Sequence, residues 1–431
     1  MFKNRFPVLH EKLSHFLNMM IVCFAFVMPI NPMLVKKLVG MMLLVWIFSV
    51  DYRRLFELLR YNRIFQTLLL LIGFVTLSLL WSDDIDAGIN YLRFYYKFFL
   101  VIVVIVAASL RREYIKPLIS AFLLAMCLNE LMSYAIFFEM TDNFFGYTVH
   151  GTRMNPIPYQ EHHIVYSLLV AFTVFLMLYQ FFTSQYRYLK PLLLLFAITM
   201  TANLFLSIGR TGQVALIFTT LMIIVIYYRT NIKLILGTFA ALALTFILAY
   251  QFSQSFHLRV NTALVDIQKV WEQKNYFSSW GNRLFAYKVV PDILDDSSYL
   301  FGAGIGDMGE LVNKHYISNG WPEKHASIYG IGILHNSFLS ITASTGLIGL
   351  AIFCYLLYRL LEERYSDRYL SYLRYCLLGM LFISSFSSEF FAFRGLGYFF
   401  ALFIALLIAQ KRYEELEPAE SDSIESRFVK S

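Results

Sequence analysis

This chain is short of charge. Only 15% of its 431 residues are charged, where a soluble domain carries roughly a quarter. Cysteine is sparser still, at four. Cys23, Cys127, Cys354 and Cys376 all fall inside apolar runs, which argues against a disulfide framework or a zinc site. No glycine-lysine phosphate loop, no paired-histidine zinc helix and no dinucleotide fingerprint occurs, so nucleotide-driven and zinc-hydrolase chemistries have no motif here. Neither a cofactor nor a resident metal is expected.

What is abundant is apolar surface. The chain is 58% hydrophobic and 18% aromatic, with a mean hydropathy of +0.59, a membrane composition. The expected fold is all-α and polytopic. A span needs about 20 mostly apolar residues, and twelve runs provide them, near 14–31, 33–50, 64–81, 91–109, 117–137, 161–182, 190–208, 211–228, 232–252, 335–358, 370–388 and 394–410. The basic N-terminus (Lys3, Arg5, Lys12) lacks a small-residue cleavage site after its apolar run, so a retained first span is expected rather than a signal peptide.

A net charge of +7 would point to nucleic acid in a soluble chain. Here the basic residues sit in short links, where orientation in a membrane explains them better, and no nucleic-acid partner is expected. With twelve spans, Lys3/Arg5/Lys12, Arg53/Arg54/Arg60/Arg63, Arg111/Arg112/Lys116, Arg187/Lys190, Arg229/Lys233, Arg359/Arg364/Arg368 and Lys411/Arg412 share one side. That side is expected to be the cytoplasm, with both termini. The other side receives Asp83/Asp84/Asp86, residues 138–160, the Gly209-Arg210 turn, the long region 253–334 and the 389–394 link. Lys36 and Lys37 depart from the rule; they snorkel or bind an anionic group.

The chain thus divides into nine spans over 1–252, an outer region over 253–334, three spans over 335–412 and an acidic tail over 413–431, read as disordered. In the outer region, Val260–Trp271 has apolar residues at helical spacing, Asn282–Ile293 reads as a second helix, and Phe301-Gly-Ala-Gly-Ile-Gly-Asp is a glycine-rich turn. A plain loop of that length is unusual, so a small helical cap over the membrane is expected.

Several residues can carry chemistry. His335 opens a span at the edge of the long region; it is either a packing histidine or an imidazole placed to take a proton from a hydroxyl near neutral pH. Asn336 and Ser337 can cap the following helix and so fix His335. Arg210, in Ser207-Ile-Gly-Arg-Thr-Gly, stands between two spans with almost no link. It is a snorkelling interfacial arginine or a planar fork facing phosphate oxygens. Arg283 is a solvated loop arginine or a second such cation. Arg93 and Lys97, four apart, are expected on one helix face, where an anion between them relieves their repulsion; Arg394 is similar unless Glu389 pairs with it. His162 and His163 compete with His335, but neighbours on a helix point about 100° apart, so both are not expected to face one site. Asp292, Asp295 and Asp296 read as a helix end rather than a divalent-metal site.

Taken together, these stretches resemble the O-antigen ligase and polymerase superfamily of bacterial inner-membrane proteins. The resemblance rests on Ser207-Ile-Gly-Arg-Thr-Gly-Gln-Val-Ala-Leu, Gly281-Asn-Arg-Leu-Phe-Ala-Tyr, Phe301-Gly-Ala-Gly-Ile-Gly, and His335-Asn-Ser-Phe-Leu with its Gly346-Leu-Ile-Gly-Leu continuation. It implies a membrane-glycosyltransferase (GT-C-like) architecture and a ligase. The donor would be a polysaccharide on undecaprenyl diphosphate, and the acceptor a sugar hydroxyl of lipid A–core. Arginines matching Arg210 and Arg283 would hold the diphosphate, a histidine matching His335 would act as base, and the reaction would be inverting and metal-independent. Arg93, Lys97 and Arg394 are then candidates for lipid phosphate. Two other readings stand beside the ligase: a polymerase joining lipid-linked repeat units, and a transporter or flippase for the same lipid, whose paired broken helices in related halves are not found in the sequence.

Overall fold

The structure, a computed structural model, describes residues 7–140, 143–144, 147–148, 151–158, 162–320, 334–391 and 393–428; side chains are described only as far as Tyr413. Lys3, Arg5, Glu161 and residues 321–333, with the Gly332-Ile333 that precede the His335 motif, lie outside the described residues.

Every one of the twelve apolar runs is helical. In chain order the helices are α1 (Pro7–Val27), α2 (Pro32–Ser49), α3 (Tyr52–Tyr61), α4 (Arg63–Leu77), α5 (Ile85–Tyr95), α6 (Val101–Ser109), α7 (Ile115–Phe137), α8 (His163–Thr183), α9 (Lys190–Leu206), α10 (Arg210–Tyr228), α11 (Ile232–Phe252), α12 (Gln254–Gln273), α13 (Ser279–Asp296), α14 (Met308–Ser318), α15 (Ser337–Glu362), α16 (Arg368–Ser385) and α17 (Arg394–Phe428). A minimal hairpin, β1 (Asn143–Phe144) with β2 (Tyr147–Thr148), is the only paired sheet among the described residues. The chain is an all-α, multi-pass membrane protein. Among the described residues, eight helices are long and apolar enough to cross a membrane, and a ninth if α2 and α3, bent by 101°, form one span. α9 is apolar but short. Polar groups dilute α1 (His10, Glu11, Lys12, His15) and α16 (Arg368, Arg374).

Three local departures from the sequence reading matter. The link holding Arg53, Arg54 and Arg60 is itself a helix, α3, started by Asp51, whose carboxylate accepts from the Arg53 amide. The run holding Arg93 and Lys97 is interrupted by a π-helical turn over Tyr96–Leu100, so the four-residue spacing does not belong to one uninterrupted α-helix. The expected acidic tail continues α17 in helical form to Phe428.

The outer region holds α12, α13 and α14, and both expected helices lie inside the first two of these. Its glycine-rich turn is built into the bundle. α15 is broken at Gly346, at φ 65°, ψ −164°, a region open essentially to glycine alone. The break frees backbone groups, and the turn pairs with them. Ala303 and Gly304 amides donate to the Ala343 and Ser344 carbonyls at 2.9 Å each, and the Leu347 amide donates to Tyr299 at 2.9 Å. A Cβ on Gly302 would lie 2.5 Å from the Gly346 nitrogen. From the other side, Ser78 and Ser82 hydroxyls accept the amides of Ile305 and Gly306, and Asp307 accepts those of Asp83 and Asp84. The turn thereby fixes α15, which carries His335 at its start, against the end of α4.

Candidate active site

Three separated stretches converge at one end of the bundle. α8 and α10 start side by side there because two glycines allow close approach. The Gly212 amide donates to Ser167 Oγ at 3.2 Å, and a Cβ on Gly209 would lie 2.8 Å from the His163 carbonyl. This holds Arg210 as the first residue of α10. A cation there faces the positive end of the helix dipole, unfavourable by roughly 0.3–1 kcal/mol unless an anion sits nearby. The Arg210 guanidinium lies 5.7 Å from the ring centroid of Trp280, within cation–π range. Trp280 and Arg283 share α13, so that helix lies over Arg210.

Arg283 is the common neighbour. It lies within electrostatic reach of Arg210, His162, His163 and His335. Its Nε is buried with no hydrogen-bond partner, and burial holds its pKa below the ordinary arginine value. One turn on, Tyr287 presents its hydroxyl to Asn336 Nδ2 at 2.9 Å. Residues four apart share a helix face, so α13 directs a cation and a hydroxyl at the start of α15 together.

His335 sits just before the cap of α15 in the left-handed region, φ 47°, where His is among the better-tolerated residues. Burial first, then Arg283 and His162, push its pKa down to about 4. The imidazole is therefore neutral at ordinary pH. Asn336 is the cap: its Oδ1 accepts the Leu339 amide at 3.1 Å. Ser337 does not cap. Its hydroxyl donates to the Ser388 carbonyl at 2.8 Å and accepts the Phe390 amide at 3.2 Å, which ties α15 to the 386–393 link.

His162 and His163 both belong to this neighbourhood, against the expectation that only one would face it. His162 is the cap of α8 and extended (φ −79°, ψ 137°), with Nδ1 accepting the Ile164 amide at 3.4 Å, so the helical 100° offset does not apply to it. Its ring lies 4.2 Å from that of His163 and 4.9 Å from Phe393. Burial, with Arg283, lowers its pKa.

Three participants escaped the sequence reading. Arg259 and the buried Asp266 on α12 lie within electrostatic reach of Arg210, with Asp266 the one of opposite sign, and Trp280 covers it. Arg259 and Asp266 are seven residues apart, a two-turn helical spacing that marks one face, and that was the available signal.

A second cationic group lies next door. Lys36, Lys97 and Arg394 are within electrostatic reach of one another's cluster centre at Lys36. Lys97 sits in the π-helical turn. The Arg394 guanidinium lies 5.5 Å from the Phe98 ring centroid, with a buried, unpartnered Nε. Arg394 follows Phe393, which touches His162. Arg93 instead donates to Asn90 Oδ1 at 2.9 Å. Glu389 makes no ion pair with Arg394; it sits beside Ser340, and burial pushes its pKa up to about 7. Of the acidic triplet, Asp295 accepts from Tyr299 and Asp296 from His315. Among the described residues, no group of three His, Cys, Asp or Glu gathers as metal ligands would.

The arrangement offers three guanidiniums and a neutral imidazole at a membrane-helix mouth: an anion held beside a proton acceptor. A family model described as O-antigen ligase matches residues 195–354, which include Arg210, Arg259, Arg283 and His335 and exclude the Lys36/Lys97/Arg394 group. No curated protein matches the chain. Over residues 195–354 the chain is similar to the O-antigen ligase family.

Proposed function

We propose that this protein is an O-antigen ligase, transferring a polysaccharide from undecaprenyl diphosphate to a sugar hydroxyl of lipid A–core at the periplasmic face of the bacterial inner membrane. The observation that carries the reading is the convergence of Arg210, Arg283 and His335 from three distant parts of the chain. The donor's diphosphate gains negative charge as its bond to the sugar breaks, and Arg210 with Arg283 stabilises that charge where it develops. Each guanidinium can meet two phosphate oxygens at once. The acceptor hydroxyl attacks the anomeric carbon from the opposite face and gives its proton to neutral His335, so the stereochemistry inverts, with no nucleotide or metal required. Burial and then the Arg283 charge hold the His335 pKa down; diphosphate in this pocket offsets the Arg283 part, so donor binding itself makes the imidazole a stronger base.

Lys97 and Arg394, joined by Lys36, serve as a neighbouring lipid-phosphate contact in this scheme, with Arg93 further out. The basic links and both termini face the cytoplasm, and α12 to α14 cap the site while the lipid tail stays in the bilayer.

A gene deletion tests the assignment. Loss of a ligase leaves long polymer on its carrier lipid and none on lipid A–core. Core bearing a single repeat, with no long polymer anywhere, would instead identify a polymerase, the second reading that the superfamily allows.

A further inference from the structure

The opposite end of the bundle holds a cavity that this reaction does not use. α8 and α10 run side by side from His163 and Arg210, so their far ends, Thr183 and Tyr228, lie roughly 27–30 Å away at 1.5 Å per residue. There, with α16 and the link before it, they enclose about 930 Å³. Its walls are apolar and aromatic, with Phe175, Ile223, Ile224 and Tyr227 among them. They are also braced: Tyr179 packs on Tyr369 and Tyr372 at 4.7 and 4.9 Å, and the Tyr372 hydroxyl donates to the Phe175 carbonyl at 3.2 Å.

The charges around this cavity are of one kind. Arg364, Arg368 and Arg374 line it. Arg374 is only 3% exposed. Its guanidinium lies 4.1 Å from the Tyr375 ring centroid and donates to the Leu361 carbonyl at 2.8 Å, while its Nε has no partner. The nearby carboxylates are engaged elsewhere. Glu362 and Glu363 pair with Arg359, Glu363 also pairs with Lys411 at 3.1 Å, and Asp367 accepts the Tyr369 amide as the cap of α16. Arg364 and Arg368 are exposed and have no ion-pair partner among the described residues.

We propose that this cavity holds one anionic phospholipid, with its phosphate against Arg364 and Arg368 and an acyl chain along Phe175, Ile223 and Tyr227. Basic pockets between membrane helices suit such headgroups. A cavity of this size is that of a drug-sized ligand, far more than a free phosphate fills, and its largely apolar walls call for a hydrocarbon chain. The lipid would brace the start of α16 and the far ends of α8 and α10, whose near ends carry His163 and Arg210. The proposal stands independently of the ligase reading.

Native mass spectrometry of the purified, delipidated full-length chain tests it, with phosphatidylglycerol and phosphatidylethanolamine offered in matched micelles. The expected result is at least tenfold tighter retention of phosphatidylglycerol. Arg364→Gln with Arg368→Gln, both at exposed positions, brings it down to the phosphatidylethanolamine level. Ile224→Trp, which fills the cavity, lowers retention of both lipids. Glycerol phosphate does not compete. Equal retention of the two lipids by the unaltered chain, an unchanged preference in the double variant, or displacement by glycerol phosphate would each overturn the proposal, the last by revealing a simple anion site.

Discussion

Asn336 and Tyr287 are joined side chain to side chain at 2.9 Å, and through that bond the cap helix that carries Arg283 is tied to the residue after His335. Asn336 also caps α15 with its other amide atom. One side chain therefore sets both where the helix begins and where the imidazole stands relative to the cation. Tyr287→Phe removes the cross-link and leaves the cap. A net hydrogen bond contributes about 1 kcal/mol, so transfer is expected to fall about fivefold with unchanged folding in detergent. Asn336→Ala removes both bonds and should cost more in stability as well as activity, read by thermal unfolding beside the transfer assay.

Arg210 tests whether shape matters beyond charge. Arg210→Lys keeps a cation at the start of α10 but loses the planar fork and its contact with the Trp280 ring. Transfer is expected to drop by at least about a hundredfold, corresponding to roughly 2.7 kcal/mol of transition-state stabilisation. Near-normal transfer would count against two-oxygen contact with the diphosphate.

The pH profile follows from the His335 environment. Its pKa of about 4 in the free protein lies below the ordinary 6.5, so the base is already unprotonated at mild acidity. The acid limb of kcat/KM, which reports the free enzyme, should fall near pH 4. Bound diphosphate offsets the Arg283 charge, which adds to burial in lowering the His335 pKa, so the acid limb of kcat should lie higher. Arg283→Gln should raise the kcat/KM limb, since it removes a cation that disfavours imidazolium. Coincident limbs near 6.5 in all cases would contradict the placement of His335 beside Arg283.

Gly346 tests the weld between the glycine-rich turn and α15. Its φ of 65° and ψ of −164° cost a residue with a side chain about 1–3 kcal/mol, and a Cβ there would also run into the Leu300–Phe301 backbone. Gly346→Ala should lower the unfolding temperature in detergent and reduce transfer by loosening the helix that starts beside His335. Ordinary stability in that variant would contradict the broken geometry of α15.

Much of this was readable in the sequence because membrane helices announce themselves by apolar length alone, and all twelve runs became helices. Arg210 and His335 stood out as polar groups at the edges of apolar runs, and Arg283 only as a second outer-face cation beside them. The sequence could not show what depends on meeting in space. Asp266 and Arg259 looked like ordinary surface charges of an amphipathic helix until α12 came to lie near Arg210. The two-histidine exclusion failed because it assumed helical geometry at a residue that is the cap. The π-helical turn at Lys97 has no local signature in an apolar run. Nor does the glycine pattern at 301–306 reveal that its amides answer a break forty residues later.

Purified protein in detergent, offered polymer on undecaprenyl diphosphate and lipid A–core without any ion gradient, provides the most direct measurement. The unaltered chain should join the two, and His335→Gln, which keeps polarity but cannot act as the base, should lose at least about a thousandfold in rate while still binding the lipid-linked donor. Transfer by His335→Gln at a comparable rate would contradict the assignment of His335 as the proton acceptor.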